Sequence, residues 1–159
     1  MAVYADASTL LALASIGKLH ILKKIFGTVF ITKEIKAEVM FKDKPHRHVI
    51  KEALDEWIKI KRSKRRKKPP QIPGLGPGEK SIFDNYTKGD LLIIDDALAR
   101  RTARAKGYEF TGLLGILISG VKEGILTQRE AIEILDALAS SKFHMSAALY
   151  LEVKERIEG

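Results

Sequence analysis

Three acidic residues stand directly after short apolar runs of the chain. Asp6 follows the run at 1–5, and Asp95 and Asp96 follow the run at 91–94. A short apolar run with β-branched or aromatic residues predicts a buried strand. A carboxylate at the end of such a strand is costly to bury unless it is paired or bound to a metal ion. Each Asp could equally cap the helix that follows it, because Asp is a preferred N-cap residue.

Two glutamates can join these aspartates through the predicted topology. Glu38 lies inside a predicted helix with apolar Ile35 and Phe41 three residues to either side, so it need not face bulk water. Glu79 lies in the first turn of another predicted helix, where the helix dipole alone can explain it. Glu34, in contrast, has the character of an exposed helical charge.

The types of these residues indicate the chemistry that they could perform together. Sites in open parallel sheets lie beyond the carboxyl ends of the strands, and four carboxylates gathered there would repel unless a cation lay among them. Hard oxygen ligands without Cys, and without His at ligand spacing, suit Mg²⁺ or Mn²⁺ rather than Zn²⁺. A site of this kind activates water and stabilises in-line displacement at phosphorus. Together with a basic segment, the acids point to metal-dependent cleavage of a nucleic-acid backbone.

Strands and helices that would position these acids alternate along the whole chain. Strands are predicted at 1–5, 28–31, 57–61, 91–94 and 109–111, and helices at 8–15, 18–26, 34–40, 45–56, 77–86, 97–106, 112–122, 128–138 and 146–157. The predicted N-caps include Ser8, Thr32, Thr127 and Ser146. Alternation of this kind requires parallel pairing with helical crossovers. It predicts an α/β fold, a three-layer α/β/α sandwich around a central, mostly parallel sheet.

The positive charge of the chain is concentrated in one segment. The 159 residues carry 28 Lys and Arg against 20 Asp and Glu, a net charge of +8. Eight of the basic residues lie at 59–68, so the rest of the chain is formally neutral. A strongly basic stretch favours a polyanionic partner such as nucleic acid. The simpler alternative is a solvated, disordered loop.

Length and residue usage exclude several classes of protein. We predict a single domain at 1–159 with a basic and Pro/Gly-rich loop at 59–78. The absence of Cys excludes a disulfide scaffold, a thiol nucleophile and a zinc finger. No apolar run approaches the roughly 20 residues that span a bilayer, and the start of the chain lacks the basic region of a signal peptide, so we expect a cytoplasmic protein. Two Gln and one Asn beside 30% charged residues fit a thermophile.

Five short motifs stand in order along nearly the whole chain. They read Asp6-Ala-Ser8-Thr-Leu10, Lys36-Ala-Glu38, Leu75-Gly-Pro-Gly78-Glu79, Ile94-Asp95-Asp96 with Ala99-Arg100, and Thr111-Gly112-Leu-Leu-Gly115-Ile116-Leu117. Each motif is weak alone, but the ordered set is specific. It resembles the PIN-domain family, and most of all the short single-domain prokaryotic branch of that family.

The resemblance implies a Mg²⁺- or Mn²⁺-dependent ribonuclease, often the toxin of a toxin–antitoxin pair, with RNA as substrate and a small antitoxin protein as partner. By position, the catalytic acids are Asp6, Glu38, Glu79 and Asp95, and the metal ligands are Asp6, Glu79 and Asp95, with Asp96 as a replacement or assistant for Asp95. Ser8, Arg100 and Thr111 support the site. Arg100 could also form only an i,i+4 ion pair with Asp96.

Two departures from the family pattern leave a second function open. Ala7 stands where a hydroxyl is usual and Leu113 where Thr is common, so a catalytically weak or inactive RNA-binding module is the alternative. The residues predicted to bind RNA are Lys61, Arg62, Lys64, Arg65, Arg66, Lys67 and Lys68. The resemblance also implies a homodimer, since apolar residues of the last two predicted helices could meet a second copy as readily as the core.

Overall fold

Five strands form one sheet in the described part of the chain. The structure, a computed structural model, describes residues 1–41, 44, 46–62 and 72–159. The strands are Val3–Ala5 (β1), Val29–Ile31 (β2), Ile58–Ile60 (β3), Leu91–Ile93 (β4) and Phe110–Thr111 (β5). Their side chains are largely buried on both faces, as expected for short apolar runs covered by helices.

Nine helices connect or follow these strands within the same described residues. They are Ala7–Ser15 (α1), Ile21–Phe26 (α2), Lys33–Val39 (α3), Arg47–Glu56 (α4), Pro77–Asn85 (α5), Ala97–Lys106 (α6), Leu113–Lys122 (α7), Gln128–Ala139 (α8) and Ala147–Glu158 (α9). Helices α8 and α9 pack on each other and on α7, while α1 and α5 both contact α3. No helix of the described chain is both long and apolar enough to cross a membrane.

The sheet has the strand order β3-β2-β1-β4-β5, and every neighbouring pair is parallel. Tyr4 of β1 lies opposite Phe30 of β2 on one side and Leu92 of β4 on the other. The chain first extends the sheet from β1 to β3 and then returns to the opposite side of β1. The strand order therefore reverses between β1 and β4, which is where α/β proteins bind ligands. The predicted α/β fold is confirmed, with an all-parallel sheet.

Most predicted helix caps are confirmed, and one is wrong. Thr32, Thr127 and Ser146 each accept the backbone N–H three residues ahead through the side-chain oxygen. Helix α1 begins before the predicted Ser8 cap, and Asp6 caps it by accepting the N–H of Thr9. Asp satisfies an otherwise free N–H at this end better than an exposed Ser inside the first turn.

Hydroxyl groups fix the start of α5 against the start of α3. The side chains of Thr32 and Ser81 share a hydrogen bond of 2.6 Å, and the Ser81 hydroxyl lies 2.6 Å from the carbonyl oxygen of Gly78. Both hydroxyls are buried, so their mutual satisfaction matters for stability. The contact brings the first turn of α5, with Glu79, alongside the helix that carries Glu38.

Candidate metal centre

The carboxyl ends of β1 and β4 place Asp6 beside Asp95. Asp6 is 1% exposed, and its Oδ2 accepts the backbone N–H of Asp95 at 3.2 Å. Thr9 contacts both acids: its N–H donates to Asp6 Oδ1 at 2.8 Å, and its hydroxyl donates to Asp95 Oδ2 at 3.3 Å. Asp6 and Asp95 therefore lie side by side at the carboxyl ends of neighbouring strands, as the sequence predicts.

Asp6 is a buried acid that its surroundings hold partly protonated. Its pKa is raised to about 6, chiefly by burial and in smaller part by the charge of Asp95, while hydrogen bonds from Thr9 and from the backbone of Asp95 act in the opposite direction. The neighbours of Asp6 among the described residues are N–H and hydroxyl donors and another acid. A bound cation would offset the cost of both burial and like charge.

Asp95 forms an ion pair with Arg100 of α6, the helix that follows it in the chain. Arg100 Nη2 donates to Asp95 Oδ1 at 2.9 Å, and Arg100 Nε donates to the carbonyl oxygen of Ile94 at 3.0 Å. The N–H of Leu113, in the first turn of α7, reaches the same Oδ1 at 3.3 Å. The alternative ion pair of Arg100 with Asp96 is therefore wrong. The guanidinium reaches past Asp96 and binds the Asp95 carboxylate and the Ile94 carbonyl oxygen.

Asp96, predicted as a metal ligand that replaces or assists Asp95, caps α6, and its role as a ligand stays a prediction. Its Oδ2 accepts the N–H of Ala99 at 2.9 Å, and the residue is exposed. Ser8 is also exposed, on the wall of the cavity that contains Asp95. Thr111 ends β5, where its hydroxyl donates to the carbonyl oxygen of Gly112 at 3.3 Å. Ser8 and Thr111 thus lie near the site without a hydrogen bond to its acids among the described residues.

The two glutamates form a second acidic pair between α3 and α5. Burial raises the pKa of Glu38, and the charge of Glu79 raises it further against a lowering by Lys44. Glycine permits the approach: a Cβ at position 78 would lie 3.0 Å from Glu38 Oε2, and one at position 76 would lie 2.9 Å from Glu79 Oε2. The pair rests directly on the turn that begins α5.

The acids meet in two pairs and not in the single predicted cluster of four. Among the side chains that the structure describes, no group of three or more His, Asp or Glu residues could hold a metal ion. Three contacts account for this arrangement. Arg100 binds one oxygen of Asp95, and Asp96 accepts the N–H of Ala99 in α6. Glu38 lies near enough to Glu79 for the charge of Glu79 to raise its pKa.

The donor types of both pairs fit a hard divalent cation. Carboxylate oxygens are the ligands that Mg²⁺ and Mn²⁺ prefer, and Mg²⁺ commonly uses one or two carboxylates together with water. Asp6 beside Asp95 is the pair whose charges a cation would most relieve, because burial raises the pKa of Asp6 and the charge of Asp95 adds to that rise.

Two expectations for α3 are wrong in detail. Glu34 is half-buried rather than exposed, and its Oε2 is buried with no hydrogen-bond partner among the described residues. Phe41 is 62% exposed, so it does not shield Glu38, which is itself exposed. Helical spacing predicted which residues share a face, but the packing of α1 and α5 on α3 decides which face is covered.

A cavity of about 1240 Å³ opens beside Asp95. Of the predicted acids, only Asp95 and Asp96 line it. Its other charged or titratable lining residues are Lys44, His46, Arg100, Lys142, His144, Glu152 and Arg156, and apolar walls come from α1, α7 and α9. The volume exceeds the few hundred to 1,000 Å³ of ordinary small-molecule pockets. Four basic side chains against three acids give this lining a small positive excess, which favours a polyanion that reaches the carboxylates.

Sequence reasoning missed Thr9 and the cationic residues of the cavity. Thr9 lies within the first motif, three residues after Asp6, but the family resemblance assigns the supporting hydroxyl to Ser8. Lys142 and His144 precede α9 in a segment that lies outside the five motifs of the sequence. Arg104, 5.4 Å from the ring centre of Phe110, was also missed, because the pair joins α6 to β5 across the fold.

The basic segment is only partly within the described residues. Residues 59 and 60 belong to β3 and residues 77 and 78 to α5, so both ends of the segment predicted as a loop at 59–78 lie in regular secondary structure. Lys61 Nζ lies 5.3 Å from the ring centre of Phe30, and Arg62 ends this part of the described chain. Lys64, Arg65, Arg66, Lys67 and Lys68 lie outside the described residues, so their predicted binding to RNA stays a prediction.

The fold and the site together define a class: an α/β protein with paired acids at the switch point of a parallel sheet. The family model described as DUF3368, a PIN domain, matches residues 2–159. The chain therefore belongs to the PIN-domain family. PIN domains are generally nucleases and generally use divalent metal ions. Comparison with curated proteins and with solved structures gives no match.

Proposed function

We propose that this chain is a Mg²⁺- or Mn²⁺-dependent endoribonuclease that hydrolyses RNA phosphodiesters. The observation that carries the proposal is the pair of the buried Asp6 and the partly exposed Asp95 at the switch point between β1 and β4. Like charges in such a position are costly without a cation. Membership of a family of nucleases supplies the reaction class.

Asp6 and Asp95 would hold the cation, with Glu79 as a further ligand and Glu38 as its acidic neighbour. The cation would supply an activated water and charge stabilisation at phosphorus. Thr9 keeps the two aspartates in a fixed relation, since it donates to one carboxylate with its N–H and to the other with its hydroxyl. Preorganised ligands of this kind lower the cost of reaching the reactive geometry.

The RNA would be held by cations that lie outside the acidic pairs. Lys142 and Arg156 line the cavity that reaches Asp95, and Lys61 and Arg62 begin the basic segment. Each phosphate that these side chains neutralise releases counterions, so binding should weaken steeply with salt.

The test compares Asp6→Asn and Asp95→Asn with the parent protein on a fluorescent single-stranded RNA, with Mn²⁺ and with a chelator. Both variants and the chelator should reduce cleavage by at least about a hundredfold, the scale for loss of a charged catalytic group. Asp55→Asn, an exposed aspartate on α4, is the matched control and should cut like the parent. Equal cleavage by Asp6→Asn would refute the assignment.

The second candidate is an RNA-binding module without strong catalysis. The observation that favours it is the division of the described acids into two pairs, together with Ala7 and Leu113 in the family motifs. RNA binding that persists in a chelator, without cleavage at any Mn²⁺ concentration, would support the module and contradict the nuclease.

Further parts of the proposal concern context. We expect a single domain, a cytoplasmic location, a homodimer and a small antitoxin partner that masks the activity. A short open reading frame immediately upstream would support the toxin role, and its absence would count against that role alone. Sedimentation at micromolar concentration tests the dimer directly.

A further inference from the structure

Two hydrogen bonds fix Arg100 against the end of β4. Its Nη2 donates to Asp95 Oδ1 at 2.9 Å and its Nε donates to the Ile94 carbonyl at 3.0 Å. Because the N–H of Leu113 donates to the same oxygen, Asp95 Oδ1 is held from two sides. Asp95 Oδ2 accepts a hydrogen bond only from the Thr9 hydroxyl among the described residues. One oxygen of the carboxylate is therefore committed, and the other is the more available.

Gly112 provides the space that the guanidinium occupies. A Cβ at position 112 would lie 1.9 Å from Arg100 Nη2 and 2.8 Å from Asp95 Oδ1, closer than atoms can approach. The backbone there has φ −106° and ψ 176°, which any residue adopts. Glycine is thus required at this position for space and not for conformation, and the residue that needs the space is Arg100.

We propose that Arg100 is a built-in counterion of Asp95, a positioning residue that leaves one carboxylate oxygen for a divalent cation and lowers the affinity for that cation. The inference rests on the proposed function, because it takes Asp95 as a metal ligand. A fixed positive charge beside the site opposes the approach of a second one. The Nε bond to the Ile94 carbonyl oxygen fixes the guanidinium in place, so that its single Nη2 bond to Asp95 Oδ1 keeps one direction, which a lysine with one ammonium group does not achieve.

An ion pair with a merely structural role has different consequences. Arg100 and Asp95 are partly exposed, at 38% and 18% of their side chains, and partly exposed pairs contribute little to stability. Removal of a structural pair would lower the melting temperature slightly and leave metal binding unchanged. Removal of a counterion would strengthen metal binding while turnover falls, and this opposite response separates the two roles.

The experiment titrates the whole protein with Mn²⁺ alone and follows free Mn²⁺ by electron paramagnetic resonance. We expect Arg100→Ala to bind Mn²⁺ about tenfold more tightly, the effect of removing one nearby unit charge. Arg100→Lys keeps the charge and should bind Mn²⁺ like the parent. At saturating Mn²⁺, both variants should show a lower kcat for RNA with little change in KM, because neither holds the donor to Asp95 Oδ1 in place through the Ile94 carbonyl oxygen.

Two further variants keep the test independent of folding and of surface charge. Gly112→Ala leaves Arg100 in the sequence but crowds both its guanidinium and Asp95 Oδ1, so it should change Mn²⁺ binding although the charge is kept. Arg129→Ala removes an exposed arginine that pairs with Glu133 on α8, and it should change neither property. If the parent binds no Mn²⁺, the proposed function itself is refuted. If the parent binds Mn²⁺ and Arg100→Ala binds it no more tightly, only the counterion role is wrong.

Discussion

Substitution of Asp6 by Asn should increase the stability of the metal-free protein at neutral pH. Burial raises the pKa of Asp6 from 3.8 to about 6, and the difference corresponds to roughly 3 kcal/mol. The folded state therefore favours the protonated acid. The associated stability is complete below pH 3.8 and is lost as the pH rises through about 6. Asn carries no charge at any of these pH values, so the variant escapes this loss.

The substitution also has a cost. Asp6 accepts the N–H of Thr9 through Oδ1 and the N–H of Asp95 through Oδ2, and the amide of Asn offers one acceptor oxygen in place of two. Loss of one such bond in a buried place costs about 1 kcal/mol. We therefore expect Asp6→Asn to be about 1 kcal/mol less stable than the parent near pH 4 and about 2 kcal/mol more stable near pH 8.

Urea unfolding in a chelator, followed by the fluorescence of Trp57, measures this difference across pH 4 to 8. Only the pH dependence of the difference matters, because most other titrating groups cancel between the two proteins. Asp55→Asn should show a flat difference. A flat difference for Asp6→Asn would refute the reasoning, since it would mean that the acid is not destabilised in the fold. In a separate measurement without the chelator, Mn²⁺ at a hundred times its Kd should raise the free energy of unfolding of the parent by about 2.7 kcal/mol. It should leave that of Asp6→Asn unchanged.

Three further outcomes follow from particular contacts. Thr9→Val keeps the backbone bond to Asp6 but removes the hydroxyl bond to Asp95, so kcat for RNA should fall about tenfold with little loss of melting temperature; an unchanged kcat would contradict a positioning role for the hydroxyl. Gly78→Ala puts a Cβ 3.0 Å from Glu38 Oε2, and we expect weaker cleavage because Glu38 must move away from the start of α5. A kinetic comparison with the parent and with the exposed control Asp55→Asn would check this expectation. In the Asp6→Asn background, the double variant Lys142→Ala with Arg156→Ala should bind RNA more weakly, as fluorescence anisotropy would measure. The dependence of its affinity on salt concentration should fall by the equivalent of about two phosphate contacts. An unaltered salt dependence would exclude the cavity as the path of the RNA.

The sequence predicts the strand ends and the acids at them well, because both depend on local signals. An apolar run that ends in Asp places the carboxylate at the carboxyl end of a strand, and in a parallel sheet the carboxyl ends of all strands lie on the same side. Asp6 and Asp95 therefore meet as expected. The choice between Asp95 and Asp96 was open, since both residues fit the cap of α6 and only backbone geometry assigns the cap to Asp96.

Contacts between distant segments could not be predicted from spacing. Arg100 lies four residues after Asp96, and helical periodicity favours that partner, yet its guanidinium binds Asp95 because Gly112 leaves room for it. The pairing of Glu38 with Glu79 likewise depends on how α5 packs against α3, which no local pattern of the sequence fixes. The spacing of acids along a chain thus predicts that they share an edge of the sheet, but not how they pair there.

The space at Gly112 has a consequence for how this chain can vary in evolution. A side chain at position 112 must displace the guanidinium of Arg100, which lies 1.9 Å from where the Cβ would be, and must also crowd Asp95 Oδ1 at 2.8 Å. The two positions should therefore change together across related sequences: glycine with arginine, and a larger residue only where the arginine has been lost. A lineage that breaks this pairing must move the Asp95 carboxylate, and with it the affinity of the site for its cation.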